Sequence, residues 1–221
     1  MRPPIPSHLR SLASKTDDWY RRANASLLSQ LPCRAGCFHC CTGIFPITRL
    51  DLPLLQEGLA QLPADQREGI EARAMRQVNA LEAAYPRLRM RPSLDGWADD
   101  QIDEAVQSFH ESPCPALQAD GLCAVYAYRP LTCRSMGIPT RQDGIVNGAC
   151  SIQTFVPVTQ LSASLEMEEQ ELAASEAAAL EQLPEVDMEG EEIFLPYAFV
   201  PVSLDSSRLK RPKAATTCQH L

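Results

Sequence analysis

A chain of 221 residues with a formal net charge of −8 is long enough to bury a core of its own, so it needs neither disulfides nor a metal in order to fold. The acidic balance argues against a general nucleic-acid surface or an anionic-membrane surface. The opening residues hold no apolar stretch of signal-peptide length, and nowhere do about 18 apolar residues run together, so a cytoplasmic protein without a membrane span is expected.

In chain order, Leu9, Leu12, Trp19, Ala23 and Leu27 recur at helical spacing and predict a helix over residues 8–30. Pro32 interrupts the chain just before the first cysteines, and the tight segment 33–41 ends at Gly43 and Pro46. A helix over 51–61 follows, with Asp51 or Thr48 as its N-cap. A longer one is predicted over 64–85 on the stripe Ile70, Ala74, Val78, Leu81 and Tyr85. Residues 86–96 read as irregular, and Ile102, Val106 and Phe109 place a short amphipathic helix over 99–110.

Residues 121–126 read as a short strand after a turn, 129–134 as one helical turn begun by Pro130, and Asp143 with Gly144 as a second turn beside Ile145 and Val146. A long helix rich in Ala, Leu and Glu is predicted over 159–183. The eleven acids from Glu166 to Glu192 predict a solvated face followed by a polar loop. Residues 193–202 are apolar and are expected to return to the core as an extended segment. The basic stretch 208–221 has no pattern and is expected to fray.

The nine cysteines are Cys33, Cys37, Cys40, Cys41, Cys114, Cys123, Cys133, Cys150 and Cys218. An odd number excludes complete intramolecular disulfide pairing, and in a reducing compartment a dense cysteine cluster points to metal binding or catalysis. The first group has spacings of four, three and one. Cys33, Cys37 and Cys40 share one side if the segment is helical, and Cys37 and Cys40 also converge in a tight knuckle. Cys41 is harder to place, because adjacent side chains on a helix point about 100° apart. Cys40 and Cys41 therefore face different metals, or one of them stays unligated.

The second group, Cys114, Cys123, Cys133 and Cys150, is too widely spaced for one local knuckle, so the fold must gather it. Four plus four cysteines fit one four-sulfur site per group or two sites that share ligands. The bland alternative is that some of them are ordinary buried thiols. Four thiolates around Zn²⁺ or a [4Fe–4S]²⁺ core carry a charge near −2, which calls for nearby donors, and Arg34, Arg129 and Arg134 lie close in sequence. Their alternative is plain surface charge. His39 sits between two cysteines, and Cys218 carries no assigned role. No Ser–His–Asp pattern, phosphate loop or dinucleotide fingerprint supports hydrolase, kinase or dehydrogenase chemistry.

Several motifs then occur in a specific order: C-x3-C-x2-C-C from Cys33 to Cys41, C-P-A-L from Cys114, C-A-V-Y from Cys123, R-P-L-T-C-R from Arg129 to Arg134, and finally Cys150. In this order the chain resembles the YkgJ-like cysteine-cluster family, described as a zinc- or iron-chelating domain. The resemblance runs from about residue 31 to residue 150 and implies metal ligation by Cys37, Cys40, Cys41, Cys114, Cys123, Cys133 and Cys150. The family's usual opening is C-x2-C-x2-C-C, so Cys33 departs from it by one residue.

The expected fold is mainly α with a small β hairpin near the metal site, an irregular cysteine-rich metal-binding domain. Its expected parts are an N-terminal helix (1–30), the cysteine-cluster domain (31–158), an acidic helix with a return segment packed on it (159–205), and a flexible tail (206–221). The expected function is to hold zinc or an iron–sulfur cluster in one or two centres, in an electron-carrying or structural role. The alternative is a metal-dependent protein-modifying or redox enzyme. A protein partner is compatible with the sequence; nucleic acid and membrane are not expected.

Overall fold

The computed structural model describes residues 5–27, 31, 33, 36–138, 161–182 and 190–200, and the backbone of 140–142 and 145–147. Among the described residues there are seven α-helices and four three-residue strands, the mainly helical fold expected from the sequence. The elements are α1 (Ser7–Ser26), β1 (Pro46–Thr48), α2 (Asp51–Gln61), α3 (Ala64–Ala84), α4 (Arg87–Met90), α5 (Asp99–Ser108), α6 (Leu131–Ser135), β2 (Thr140–Gln142), β3 (Ile145–Asn147), α7 (Ala163–Glu181) and β4 (Glu192–Phe194).

Helix α3 forms because Ile70, Ala74, Val78 and Leu81 make a single stripe, and all four are buried. They pack with Ile44, Ile47, Leu55, Leu59, Leu88 and Trp97 into the largest core cluster. The acid-rich stretch then gives way to the return segment. Strand β4 pairs antiparallel with β1 in the register Pro46↔Phe194, Ile47↔Ile193, Thr48↔Glu192. Phe194 is fully buried, and Trp97 meets its ring edge-on at 6.1 Å. Burying a side chain of this kind contributes about 1.5–3 kcal/mol. This core contains only two cysteines, Cys114 and Cys123, and both lie at its partly buried edge.

A second layer is built by α1. Leu9, Leu12 and Ala13 pack on Leu50 and Leu54, on Leu131 of α6, and on Ala179 of α7. The α1–α7 contact is fixed further along by Trp19, which is 1% exposed and whose indole N–H donates to the carbonyl of Leu165 at 2.9 Å. Thr48 Oγ1 donates to Glu176 at 3.3 Å and ties α7 to the β1 end.

Three expectations are corrected. Residues 86–96 are not wholly irregular, because Arg87–Met90 closes a helical turn around the buried Leu88. Residues 121–126 do not form a strand: Cys123 makes an isolated bridge to Leu117 and the chain then enters the 3-10 turn Tyr126–Tyr128. The return segment is extended only through β4 and then tightens into the 3-10 turn Leu195–Phe199, which packs on α3. The expected hairpin does exist, as β2 paired with β3, directly after α6. The tail 206–221 lies outside the described residues. Among the described residues no helix is long and apolar enough to cross a membrane.

Candidate metal centre

The two cysteine groups are joined through the backbone. A 3-10 turn at His39–Cys41 leads into an isolated bridge between Thr42 and Pro113. Beside it the N–H of Cys114 donates to the carbonyl of Cys41 at 2.7 Å, and Gly43 N–H donates to Ser112 O at 2.7 Å. The loops also touch at Gly121 (φ +82°), where a Cβ would stand 3.0 Å from Gly36 O and 3.2 Å from the Phe38 ring. Only glycine fits this approach and this left-handed conformation without strain.

The segment from Cys114 to Ala124 folds back on itself. Gln118 N–H donates to Leu122 O at 2.8 Å, Ala124 N–H donates to Ala116 O at 2.9 Å, and Asp120 Oδ1 accepts from Leu122 N–H at 3.0 Å. Within it Leu117 N–H donates to Cys114 O at 3.0 Å, and the backbone N–H groups nearest Cys114 and Cys123 lower their thiols against the effect of burial. Such donors favour the thiolate form that a metal requires.

Helix α6 brings in Cys133. Pro130 precedes the helix and provides no side-chain cap, but Asp51 Oδ1 accepts the N–H of Leu131 at 2.9 Å from across the α2 interface. Asp51 or Thr48 was expected to cap α2; no side chain makes that cap bond, and Asp51 serves α6. It is fully buried, its Oδ2 makes no normal hydrogen bond, and burial pushes its carboxyl up to about 7. Its position in sequence carried a signal, because it stands in the buried stripe of α2 with Leu54, Leu55, Gly58 and Leu59.

Arg134, 3% exposed, does not spend its donors on sulfur. It donates through Nε to Arg129 O at 3.0 Å, through one terminal nitrogen to Ala127 O at 2.8 Å, and through the other to Asp17 Oδ2 on α1. Arg129 takes the other Asp17 oxygen, donates to Tyr126 O at 2.9 Å, and lies 4.0 Å over the Tyr126 ring. The guanidinium of Arg129 also lowers the Cys123 thiol electrostatically, although burial outweighs it. Arg134 therefore braces the loop that carries Cys133, and Arg129 is a cation near Cys123. No motif in the sequence points to Asp17.

The sulfurs sense one another. Cys41 interacts electrostatically with Cys40, Cys114 and Cys133, and Cys133 in turn with Cys40, Cys114 and Cys123. The thiols of the adjacent Cys40 and Cys41 interact with one another. That interaction draws Cys40 down to about 7 and holds Cys41 well above the ordinary thiol range. Burial pushes Cys114 up to about 12 and also raises Cys123 and Cys133. Such thiols ionise when a cation arrives to balance them.

Cys33 lies against Gly137 with Tyr20 beside it, and Cys37 is half-buried in the first loop. His39 is exposed and stacks on Phe38 at 5.4 Å. Arg34, Cys150 and Cys218 lie outside the described residues. Among the described residues no three Cys, His, Asp or Glu side chains are grouped so that they could hold a metal ion. The donor chemistry nonetheless fits a soft cation: clustered sulfur with amide donors selects zinc or iron–sulfur over hard, oxygen-seeking ions.

A family model described as "CxxCxxCC: Putative zinc- or iron-chelating domain" matches residues 32–151, which contain every cysteine discussed above except Cys218. No curated protein and no solved structure matches the chain. The matched segment spans more than half of the chain, and the protein belongs to this family of cysteine-cluster zinc- or iron-chelating domains.

Proposed function

We propose that the protein holds a zinc ion or an iron–sulfur cluster on a sulfur set centred on Cys40, Cys41, Cys114, Cys123 and Cys133, with Cys33, Cys37 and Cys150 completing one or two centres. The observation that carries this reading is the backbone bond from Cys114 N–H to Cys41 O at 2.7 Å, which joins the two cysteine groups inside the matched family segment. A bound metal supplies positive charge that holds the sulfurs as thiolates. The residues around it provide a cation at Arg129 near Cys123 and a braced helix at Cys133.

We favour electron exchange over a purely structural role. The largest core is built mainly from aliphatic and aromatic side chains, with Cys114 and Cys123 only at its edge, so the fold does not depend on a metal staple. Cys37, Cys40 and Cys41 lie in a half-exposed loop at the protein surface, which suits exchange with a partner. That partner is expected to be a protein in the cytoplasm, since the net charge of −8 disfavours nucleic acid. Anaerobic purification with metal analysis and an absorption spectrum tests the proposal. Brown protein with iron and acid-labile sulfide supports the cluster and the electron-carrying role. Colourless protein with stoichiometric zinc keeps the metal site and removes the redox role. A chain that retains no metal defeats the proposal.

A further inference from the structure

The matched family segment begins at residue 32, but the sulfur set does not end there. Helix α1 turns one face toward the segment 126–138. Asp17 on that face holds Arg129 and Arg134, and Tyr20, one turn further along, reaches the cysteines. Gly137 marks the meeting point. Its φ is +103°, and a Cβ there would stand 2.9 Å from Cys33 Sγ and 3.7 Å from Tyr20 Oη. The missing side chain leaves room for a sulfur and a phenol hydroxyl to approach the same spot. The Tyr20 ring is set by packing with Trp19, Ala23, Leu27, Ile138 and Leu161, so the hydroxyl has little freedom to swing away.

We propose that Tyr20 is a positioning residue of the metal centre, its hydroxyl donating a hydrogen bond to the Cys33 thiolate beside the gap at Gly137. An O–H donated to metal-bound sulfur withdraws charge from it. That strengthens metal retention and, for a cluster, raises the reduction potential. Cys33, the member that departs from the family spacing, thereby gains a partner that the matched segment does not contain.

This inference rests on the metal reading above, and its test separates the two. Full-length wild type and Tyr20→Phe are purified anaerobically with the metal they carry. Metal per chain, the rate of metal loss to excess EDTA, and the melting temperature of the metal-free proteins are then measured. The expected result is equal loading, equal metal-free melting temperature, and metal loss faster by about tenfold or more in Tyr20→Phe, as deletion of a hydrogen bond to a charged acceptor produces. An iron–sulfur form should also show a more negative potential. Equal release rates from two loaded proteins overturn the role of Tyr20 and leave the metal reading standing. A lower metal-free melting temperature with unchanged release makes Tyr20 merely structural and overturns it as well. A wild type that carries no metal overturns the metal reading and this inference together.

Discussion

Asp51 Oδ1 accepts the backbone N–H of Leu131 at 2.9 Å, so an acid on α2 serves as the N-terminal acceptor of the helix that carries Cys133. The carboxyl is fully buried and raised to about 7, chiefly by burial, with the N–H of Leu131 pulling the other way. A helix end that borrows its acceptor from another element can be displaced when that acceptor changes.

The pH consequence follows from the direction of the shift. The folded pKa lies above the unfolded value near 3.8, so this group's stabilising contribution is full below about pH 4 and is lost as pH rises through about 7. Asp51→Asn keeps the acceptor and removes the titration. In metal-free protein it should be more stable than wild type at pH 8 by about 1–3 kcal/mol and no more stable at pH 4. Asp51→Ala should lose about 1–3 kcal/mol at either pH, because the Leu131 N–H is left buried without a partner. Urea unfolding of the three proteins at both pH values measures this. Wild type and Asp51→Asn curves that shift in parallel with pH would contradict it.

Arg134 gives a prediction of a different kind. Its charge is buried, and its partners are Asp17 and two loop carbonyls, not sulfur. Arg134→Ala leaves Asp17 with one arginine and two carbonyls without donors, and should cost about 3–5 kcal/mol. Arg134→Lys should recover only part, since a point charge cannot fill three directions at once. Chemical denaturation of the metal-free proteins reads this directly. A full recovery by lysine would argue against the fork geometry.

Helix α2 and most of α3 were legible because their apolar stripes obey a single period: Leu54, Leu55 and Leu59 in one, Ile70, Ala74, Val78 and Leu81 in the other. The cysteine groups were legible as groups, because their spacing and neighbours are local in the chain. What joins them was not. The Cys114 N–H to Cys41 O bond depends on pairing across some seventy residues. Arg134 and Asp51 were misread for the same reason: each serves an element other than its own. Residues 121–126 have strand-like composition, but they pair only with the turn just before them, at Gln118–Leu122, Ala124–Ala116 and the Leu117–Cys123 bridge, and tertiary context overrides β propensity.

Gly58 sets the distance between α2 and the 3-10 turn Tyr126–Tyr128. A Cβ at this position would stand 2.7 Å from the Tyr128 Cβ, which cannot swing aside as a side-chain tip can. Glycine to alanine inside a helix ordinarily gains up to about 1 kcal/mol. Here overpacking by a rigid neighbour should win, with a net cost of about 1–3 kcal/mol. Gly58→Ala should therefore melt lower by several degrees, where the equivalent change at Gly69, which meets only the tip of Arg73, should not. Gly58→Ala with wild-type or higher melting temperature would mean that the turn moves freely away from α2.

The sulfur set itself makes the last prediction. Cys123 lies at the edge of the main core and interacts with Cys40, whereas Cys218 belongs to the basic stretch beyond the matched segment. Cys123→Ser keeps nearly the same shape but replaces a soft donor by a hydroxyl that stays protonated, so a four-ligand thiolate site should lose most of its bound metal. The same should hold for Cys114→Ser and Cys133→Ser, while Cys218→Ser should retain wild-type metal content. Metal-free melting temperatures should differ little between Cys123→Ser and wild type, because the main apolar core forms without the centre. Metal analysis of the four variants, purified in parallel under anaerobic conditions, decides the matter. Full metal retention in Cys114→Ser, Cys123→Ser and Cys133→Ser together would place the centre elsewhere, on ligands drawn from Cys33, Cys37, Cys40, Cys41 and Cys150.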